Sequence, residues 1–352
     1  MLMMSIEQLV IKAKEDGASD IHIICGLPPK YRSSGDLENM EETPVTAEDC
    51  LNMAKELSKT QEAFDELMKT GELDAADTFA GNRCRIHLFK QQGVPSLALR
   101  ILSEHIPELS TLGVPPAVLD LPKLHKGIVL VTGETGSGKS TTLAAIMDNI
   151  NHNYKRHIVT LEDPVEYMYT PDLCAINQRE VGKDTQSFAM GLRASLREDP
   201  NVILIGEMRD RDTIETAITA AETGHLVFGT LHTGSAADSI DRMVQVFPEN
   251  AQQQIRLQLS MVLQAVLTQQ LIQKKGGGRV LAAEYMIVTD AIRNLIRTGN
   301  TPQIANAVAT SSEIGGQTRD QAICMLVKKG MITRENALHY AVNKDFVNRN
   351  IF

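Results

Sequence analysis

Residues 133–140 read Gly-Glu-Thr-Gly-Ser-Gly-Lys-Ser, a set of types and spacings suited to gripping a nucleoside triphosphate. Glycines at 133, 136 and 138 allow a tight turn whose successive N–H groups point inward at phosphate oxygens. Lys139 follows at the spacing that reaches the β- and γ-phosphates, and Ser140 at the spacing that ligates Mg2+. The candidate nucleotide-binding set is therefore Gly133, Thr135, Gly136, Ser137, Gly138, Lys139, Ser140 and Thr141. Such a run carries weight only between a strand and a helix. The apolar stretch from Gly127 to Thr132 predicts the strand, and residues 139–151 predict a helix whose positive dipole end faces the same anion.

Hydrolysis needs acids and cations around that loop. Val202-Ile-Leu-Ile-Gly-Glu207 is a second apolar run ending in a carboxylate, which places Glu207 on the Mg2+ and water side of the phosphates. Ile158-Val-Thr-Leu-Glu-Asp-Pro-Val-Glu166 is a third such strand. Its acids Glu162, Asp163 and Glu166 are alternative groups for orienting and deprotonating water, and Pro164 stiffens the segment that carries them. The residue types do not choose among the three. Gly224-His-Leu-Val-Phe-Gly-Thr-Leu-His232 ends a fourth strand in an imidazole, either a γ-phosphate sensor or a satisfied core histidine. An arginine at the γ-phosphate is worth roughly 10³–10⁵ in rate. Arg193, Arg197 and Arg209 are candidates inside the second domain, and Arg83, Arg85 and Arg100 lie on strands of the first.

The elements that must position these groups fall into two grammars. Residues 1–103 alternate helical stretches (5–16, 46–57, 60–69) with strand-like runs (20–24, 76–80, 83–89, 96–102), an α+β domain. Prolines 107, 115 and 116 mark a linker over 104–117. Residues 118–288 alternate strands (127–132, 157–162, 202–206, 226–230, 280–287) with helices (139–151, 186–198, 211–223, 235–245, 249–264), the pattern of a largely parallel sheet covered on both faces. Residues 289–352 are expected to be a helical region broken at Gly299, Gly315-Gly316 and Gly330.

At 352 residues two domains are the default. A formal charge of −9 argues against a dedicated nucleic-acid binder, whose phosphate contacts demand a basic surface. Five scattered cysteines without a Cys-x-x-Cys suggest neither a disulfide framework nor a four-thiolate zinc site. No apolar run approaches the roughly 18–20 residues that span a bilayer, so a cytoplasmic chain with peripheral membrane association only is expected.

With these residues assembled, the chain resembles the type IV pilus retraction ATPases of the PilT family, within the type II/IV secretion ATPases. The loop through Ala145 is similar to the family's Walker A, Leu161-Glu-Asp-Pro-Val-Glu166 to its aspartate box, Leu196–Asp210 to its Walker B region, and Ala221–Thr233 to its histidine box. Ala18-Ser-Asp-Ile-His22 looks like the family's short PAS-like domain, without the longer leader and four-cysteine zinc element of extension motors. Ala291-Ile-Arg-Asn-Leu-Ile-Arg297 is similar to the carboxy-terminal signature of retraction motors.

The resemblance implies a RecA-like P-loop ATPase domain with a smaller PAS-like domain before it and a helical region after it. It implies a homohexameric ring at the cytoplasmic face of the inner membrane, using ATP and Mg2+. The ring drives pilus disassembly through an inner-membrane platform protein, with the pilus-extension ATPase as a further candidate partner. Glu166 becomes the water-activating carboxylate, Glu207 the Mg2+-side acid together with Ser140, and His232 the sensor. Arg83 and Arg85 reach the nucleotide of an adjoining copy, and Arg279 in Gly276-Gly-Gly-Arg-Val280 lies near the nucleotide. Pilus assembly, type II secretion or DNA uptake is the alternative within the class. An ATP-gated docking module with little turnover is the alternative outside it. Glu134, a carboxylate inside the phosphate loop where the family usually has Pro or Ala, leans toward that second alternative.

Overall fold

The computed structural model describes residues 4–33, 36–102 and 105–351. The chain divides into two units, one running to His105 and adding Pro164–Met168, the other holding Ile106–Asp163 and the remainder from Tyr169. The first unit contains α1 (Ile6–Glu15), β1 (Asp20–Ile23), β2 (Lys30–Ser33), β3 (Asp36–Asn39), α2 (Ala47–Ser58), α3 (Gln61–Thr70), β4 (Glu72–Phe79), β5 (Asn82–Gln91) and β6 (Val94–Ile101). Its six strands form one antiparallel sheet in the order β3-β2-β1-β6-β5-β4.

Helices start where the sequence supplies caps. Ser5 and Thr46 form capping boxes with Gln8 and Asp49, and the Thr60 hydroxyl accepts the Ala63 N–H. Strict alternation on β5 buries Cys84, Ile86 and Leu88 against Leu9, Leu57 and Leu67 of the helices. The same alternation turns Arg83 and Arg85 to the opposite face, where both are half-buried.

After two short 3-10 turns (Leu109–Thr111, Pro116–Lys123), the second unit builds its sheet from β7 (Gly127–Thr132), β8 (His157–Glu162), β9 (Ala175–Glu180), β10 (Val202–Ile205), β11 (Leu226–Leu231), β12 (Leu263–Gln273) and β13 (Arg279–Ile287). Between them lie α4 (Lys139–Asn153), α5 (Phe188–Ser195), α6 (Arg211–Glu222), α7 (Ala236–Gln245) and α8 (Glu249–Val262). The order is β13-β12-β7-β11-β10-β8-β9, parallel except for β13, which pairs antiparallel with β12. Every residue of β7, β10 and β11 is buried, as a sheet covered on both faces requires.

The mixed α/β class with a P-loop sheet is the one expected. Four strands were not: β2, β3 and β9, and β12, which begins at Leu263 where the helical reading of 249–264 carries on. The remainder is helical: α9 (Asp290–Thr298), α10 (Ile304–Ala309), α11 (Arg319–Lys328), α12 (Arg334–Tyr340) and α13 (Lys344–Asn350). The last three close over β12 and β13 through Ile272, Ala282, Ile323, Ile332 and Val347.

Candidate active site

Because β7, β11, β10 and β8 are parallel neighbours, their carboxyl ends share one edge of the sheet, where open α/β sheets bind ligands. Leu231 pairs with Thr132, Gly229 with Ile205 and Ile205 with Leu161, so the residues that follow come out side by side. These are the phosphate loop, His232, Glu207 and, directly after β8, Asp163. Main-chain bonds extend the alignment past the strands: Gly133 N–H donates to Leu231 O at 3.3 Å, Met208 N–H to Thr230 O at 3.1 Å and Gly206 N–H to Leu161 O at 2.7 Å.

The loop is a built cradle. Gly133 sits at φ +138°, and a Cβ there would lie 2.4 Å from Gln269 O and 2.7 Å from Ser137 Oγ, so only glycine lets the loop pass that close to β12. Gly138 caps α4 in the left-handed region with no side chain on the first-turn N–H groups, which leaves those donors to an anion. Lys139 is buried, and its Nζ donates to Gly133 O at 2.8 Å and Glu134 O at 2.9 Å. The Ser137 hydroxyl is buried with no hydrogen-bond partner among the described residues. A positive charge, free amides and an orphaned buried hydroxyl in one loop fit phosphate oxygens. Ser140 and the Glu134 side chain are exposed.

Beside the loop, Glu207 accepts from Arg209 Nε at 2.5 Å and lies 3.3 Å from His232 Nε2 through the same Oε1. The carboxylate at 2.5 Å pushes the Arg209 guanidinium pKa up, with Asp163 adding to the effect. Thr230 Oγ1 donates to Gly206 O and fixes the peptide before Glu207. Asp210, at the end of the same stretch, caps α6 by accepting from Thr213 N and Oγ1 at 2.8 and 2.7 Å. Glu162 is buried and held by Thr160 Oγ1 at 2.7 Å and Gln178 Nε2 at 3.4 Å. Asp163 is exposed. Glu166 is half-buried on the 164–168 segment that groups with the first unit, and its carboxylate has no hydrogen bond or ion pair among the described residues.

Among the candidate cations, Arg193 pairs with Asp212 at 3.4 Å, Arg197 donates to Arg193 O at 3.3 Å and Arg100 pairs with Asp20 at 2.8 Å. Arg83 Nε donates to Val165 O at 3.3 Å. Arg85 and Arg279 make no side-chain hydrogen bond or ion pair among the described residues. Arg279 opens β13 opposite Gln273, in the part of the β12–β13 ladder that runs on past the pairing of Thr268 with Thr132.

Reading the motifs alone passes over Gln269. Its carbonyl lies against Gly133, while its buried Nε2 donates to Thr142 Oγ1 on α4 at 2.7 Å. Thr132 and Thr268 share a buried hydroxyl bond at 2.9 Å one residue before the loop. A glutamine among the apolar residues of a strand is the one signal that could have found this brace, whose Nε2 is bonded while its buried Oε1 has no partner among the described residues.

The sequence profile described as type II/IV secretion system protein matches residues 1–277. The type IV pilus retraction ATPase PilT of Pseudomonas aeruginosa is 44% identical over 337 residues, covering 95% of this chain and 97% of that one. A twitching motility protein of Neisseria gonorrhoeae is 41% identical over 323 residues, covering 90% of this chain and 85% of that protein. The crystal structure of a pilus retraction motor, PilT with bound ADP, superposes with a TM-score of 0.91 at 45% identity, covering 99% of this chain and all (100%) of that one. On a profile that spans most of its length and relatives matched nearly end to end, the chain belongs to the type II/IV secretion system protein family, in its PilT-like branch of nucleotide-binding ATPases.

Proposed function

We propose that the chain is an ATP-hydrolysing ring motor that powers retraction of a type IV pilus. The observation that carries the reading is the shared strand edge, where a phosphate loop with its lysine stands beside an acid that lies 3.3 Å from a histidine. ATP is the substrate: water forms a bond to the γ-phosphorus as the bond to the bridging oxygen breaks, leaving ADP and phosphate. Lys139 and the first-turn N–H groups of α4 carry the phosphate charge. Glu166 accepts the proton of the attacking water, and His232 orients Glu207. Ser140 and Glu207 are hard oxygen donors suited to Mg2+, which when bound neutralises charge on the phosphates.

Arg83 and Arg85 act on the nucleotide of an adjoining copy in a homohexamer. Their placement on the face of β5 turned away from the core supports that role. The ring works at the cytoplasmic face of the inner membrane, on a platform protein, with peripheral attachment only. Among the described residues no helix is long and apolar enough to cross a membrane. Retraction is preferred because the relatives matched over most of their length include a retraction ATPase, a twitching motility protein and the solved retraction motor. Glu134 was the feature leaning toward a docking module without turnover, and an exposed side chain there does not support it.

Phosphate release by the pure protein is the test. Wild type should turn over ATP, and Lys139→Ala should abolish turnover with an unchanged circular-dichroism spectrum. A deletion strain should carry excess pili that fail to retract, rescued by wild type and not by Lys139→Ala. Full turnover by Lys139→Ala would refute the site, and normal retraction in the deletion strain would refute the cellular role.

A further inference from the structure

His232 is followed by a short loop, Thr233-Gly-Ser235, that runs into α7. Inside the loop, Thr233 Oγ1 shares a 2.7 Å bond with Ser239 Oγ, and the Ser235 hydroxyl accepts the Asp238 N–H at 3.1 Å. Two further bonds come from distant parts of the chain. Glu284 Oε1, from β13, accepts the Ala236 N–H at 2.7 Å, taking one of the first-turn donors that a helix leaves unpaired. Arg319, the first residue of α11, donates from Nη1 to Gly234 O at 3.4 Å. The loop is thus gripped on an N–H and on a C=O by opposite charges.

The two gripping residues are themselves registered. Tyr285 and Gln317 exchange main-chain bonds at 2.8 and 3.1 Å, and Gln317 Nε2 donates to Ala283 O at 3.0 Å. That bridge fixes the lead-in to α11 beside Glu284. Next to Arg319, the Asp320 carboxylate accepts the N–H groups of Val342 and Asn343, each at 2.8 Å, which ties the start of α13 to the same point. Burial pushes the Glu284 carboxyl pKa up, the Ala236 N–H and Arg319 pull it back down, and Asp238 and Asp320 add to the rise. Glu284 and Arg319 form no ion pair among the described residues, so their attraction acts across a gap. Arg319 Nε is buried without a hydrogen-bond partner among those residues. Two opposite, half-buried charges that grip one loop without meeting each other are poorly explained by stability alone.

We propose that Glu284 and Arg319 are positioning residues for ATP hydrolysis, holding the Gly234–Ala236 main chain so that His232 stays against Glu207. The helical carboxy-terminal region thereby sets the geometry of the catalytic edge. The proposal rests on the reading of that edge as an ATPase site, and it adds a control point outside the four sequence motifs.

A double-mutant cycle in the full-length protein tests it. Glu284→Ala should lower kcat by about tenfold or more, a modest share of what a misplaced catalytic group can cost, with KM for ATP changed by less than about threefold. In a His232→Ala background the same change should cost less than about twofold, because the group it positions is gone. Arg319→Ala should behave alike, whereas Glu284→Gln, whose amide oxygen still accepts the Ala236 N–H, should keep kcat within about threefold of wild type. Equal losses in both backgrounds, or a loss that follows the urea midpoint through all variants, would overturn the proposal. Histidine-ring NMR separates this from failure of the ATPase reading. The His232 signal should move in Glu284→Ala and stay in Glu284→Gln even if wild type releases no phosphate, and an unmoved signal in Glu284→Ala would count against the clamp.

Discussion

At Gly133 one missing methyl group decides whether the phosphate loop can form. The φ of +138° is accessible in practice to glycine alone, and a Cβ would press on Gln269 O and Ser137 Oγ at 2.4 and 2.7 Å. Neither neighbour is free to yield, since one is strand backbone and the other the buried serine of the loop itself. Gly133→Ala should weaken nucleotide binding by about tenfold or more and cost about 1–3 kcal/mol of stability, read by fluorescent-nucleotide titration and urea unfolding. Glu134→Ala is the contrast: an exposed carboxylate is screened by solvent, so affinity should change less than about threefold. A large gain in affinity would mean that Glu134 does repel the phosphates. The loop was legible because glycine, lysine and serine at fixed spacing encode it locally. Gln269 was not, because its part depends on a strand 136 residues further along the chain coming to lie beside the loop, which no local pattern records.

At the scale of elements, the junction from α8 into β12 shows why one strand escaped the sequence reading. Ile255, Leu259, Val262 and Leu263 keep helical spacing up to the break, and the strand after it carries glutamines at 264, 269, 270 and 273, which mute the signature of a buried strand. β3 and β9 are polar because each lies at a sheet edge, where one side is left to solvent. What ends α8 is a residue of another helix. Arg293 on α9 donates through Nη1 to Ser260 O, Met261 O and Leu263 O at 2.6, 3.1 and 3.3 Å, so a cation meets the negative end of α8 and its unpaired carbonyls. This arginine lies in the 291–297 signature, and its local task is to fix the turn into the strand that borders the phosphate loop. Arg293→Ala should lower stability by about 1–3 kcal/mol, the worth of hydrogen bonds to a charged group, seen as a lower urea midpoint. Arg293→Lys should recover only part, because an ammonium lacks the planar fork. An unchanged midpoint in Arg293→Ala would mean that α8 ends without its help.

For the whole molecule, the question is whether one copy holds a complete catalytic set. The sequence shows a change from hairpin strands to alternating strands and helices on either side of the prolines at 107, 115 and 116. It could not place the 164–168 segment, which leaves β8 in the second unit and groups with the first, since that depends on tertiary packing alone. Nor can a single chain reveal an arginine meant for a neighbour, beyond leaving it without an obvious local task. Arg85 answers that description: its neighbours on β5 face the core, while its own side chain is half-buried on the other face without a hydrogen bond or ion pair among the described residues. If Arg85 serves an adjoining copy, the defects of Arg85→Ala and Lys139→Ala lie in different partners of each interface. Rings assembled from equal amounts of the two would then pair an intact arginine with an intact phosphate loop at about a quarter of their interfaces, by random assortment in a closed head-to-tail ring. Phosphate release by the mixture should rise well above that of either variant alone and fall on dilution as rings come apart. If Arg85 instead acts within its own chain, each copy in the mixture lacks one essential group, and mixing restores nothing.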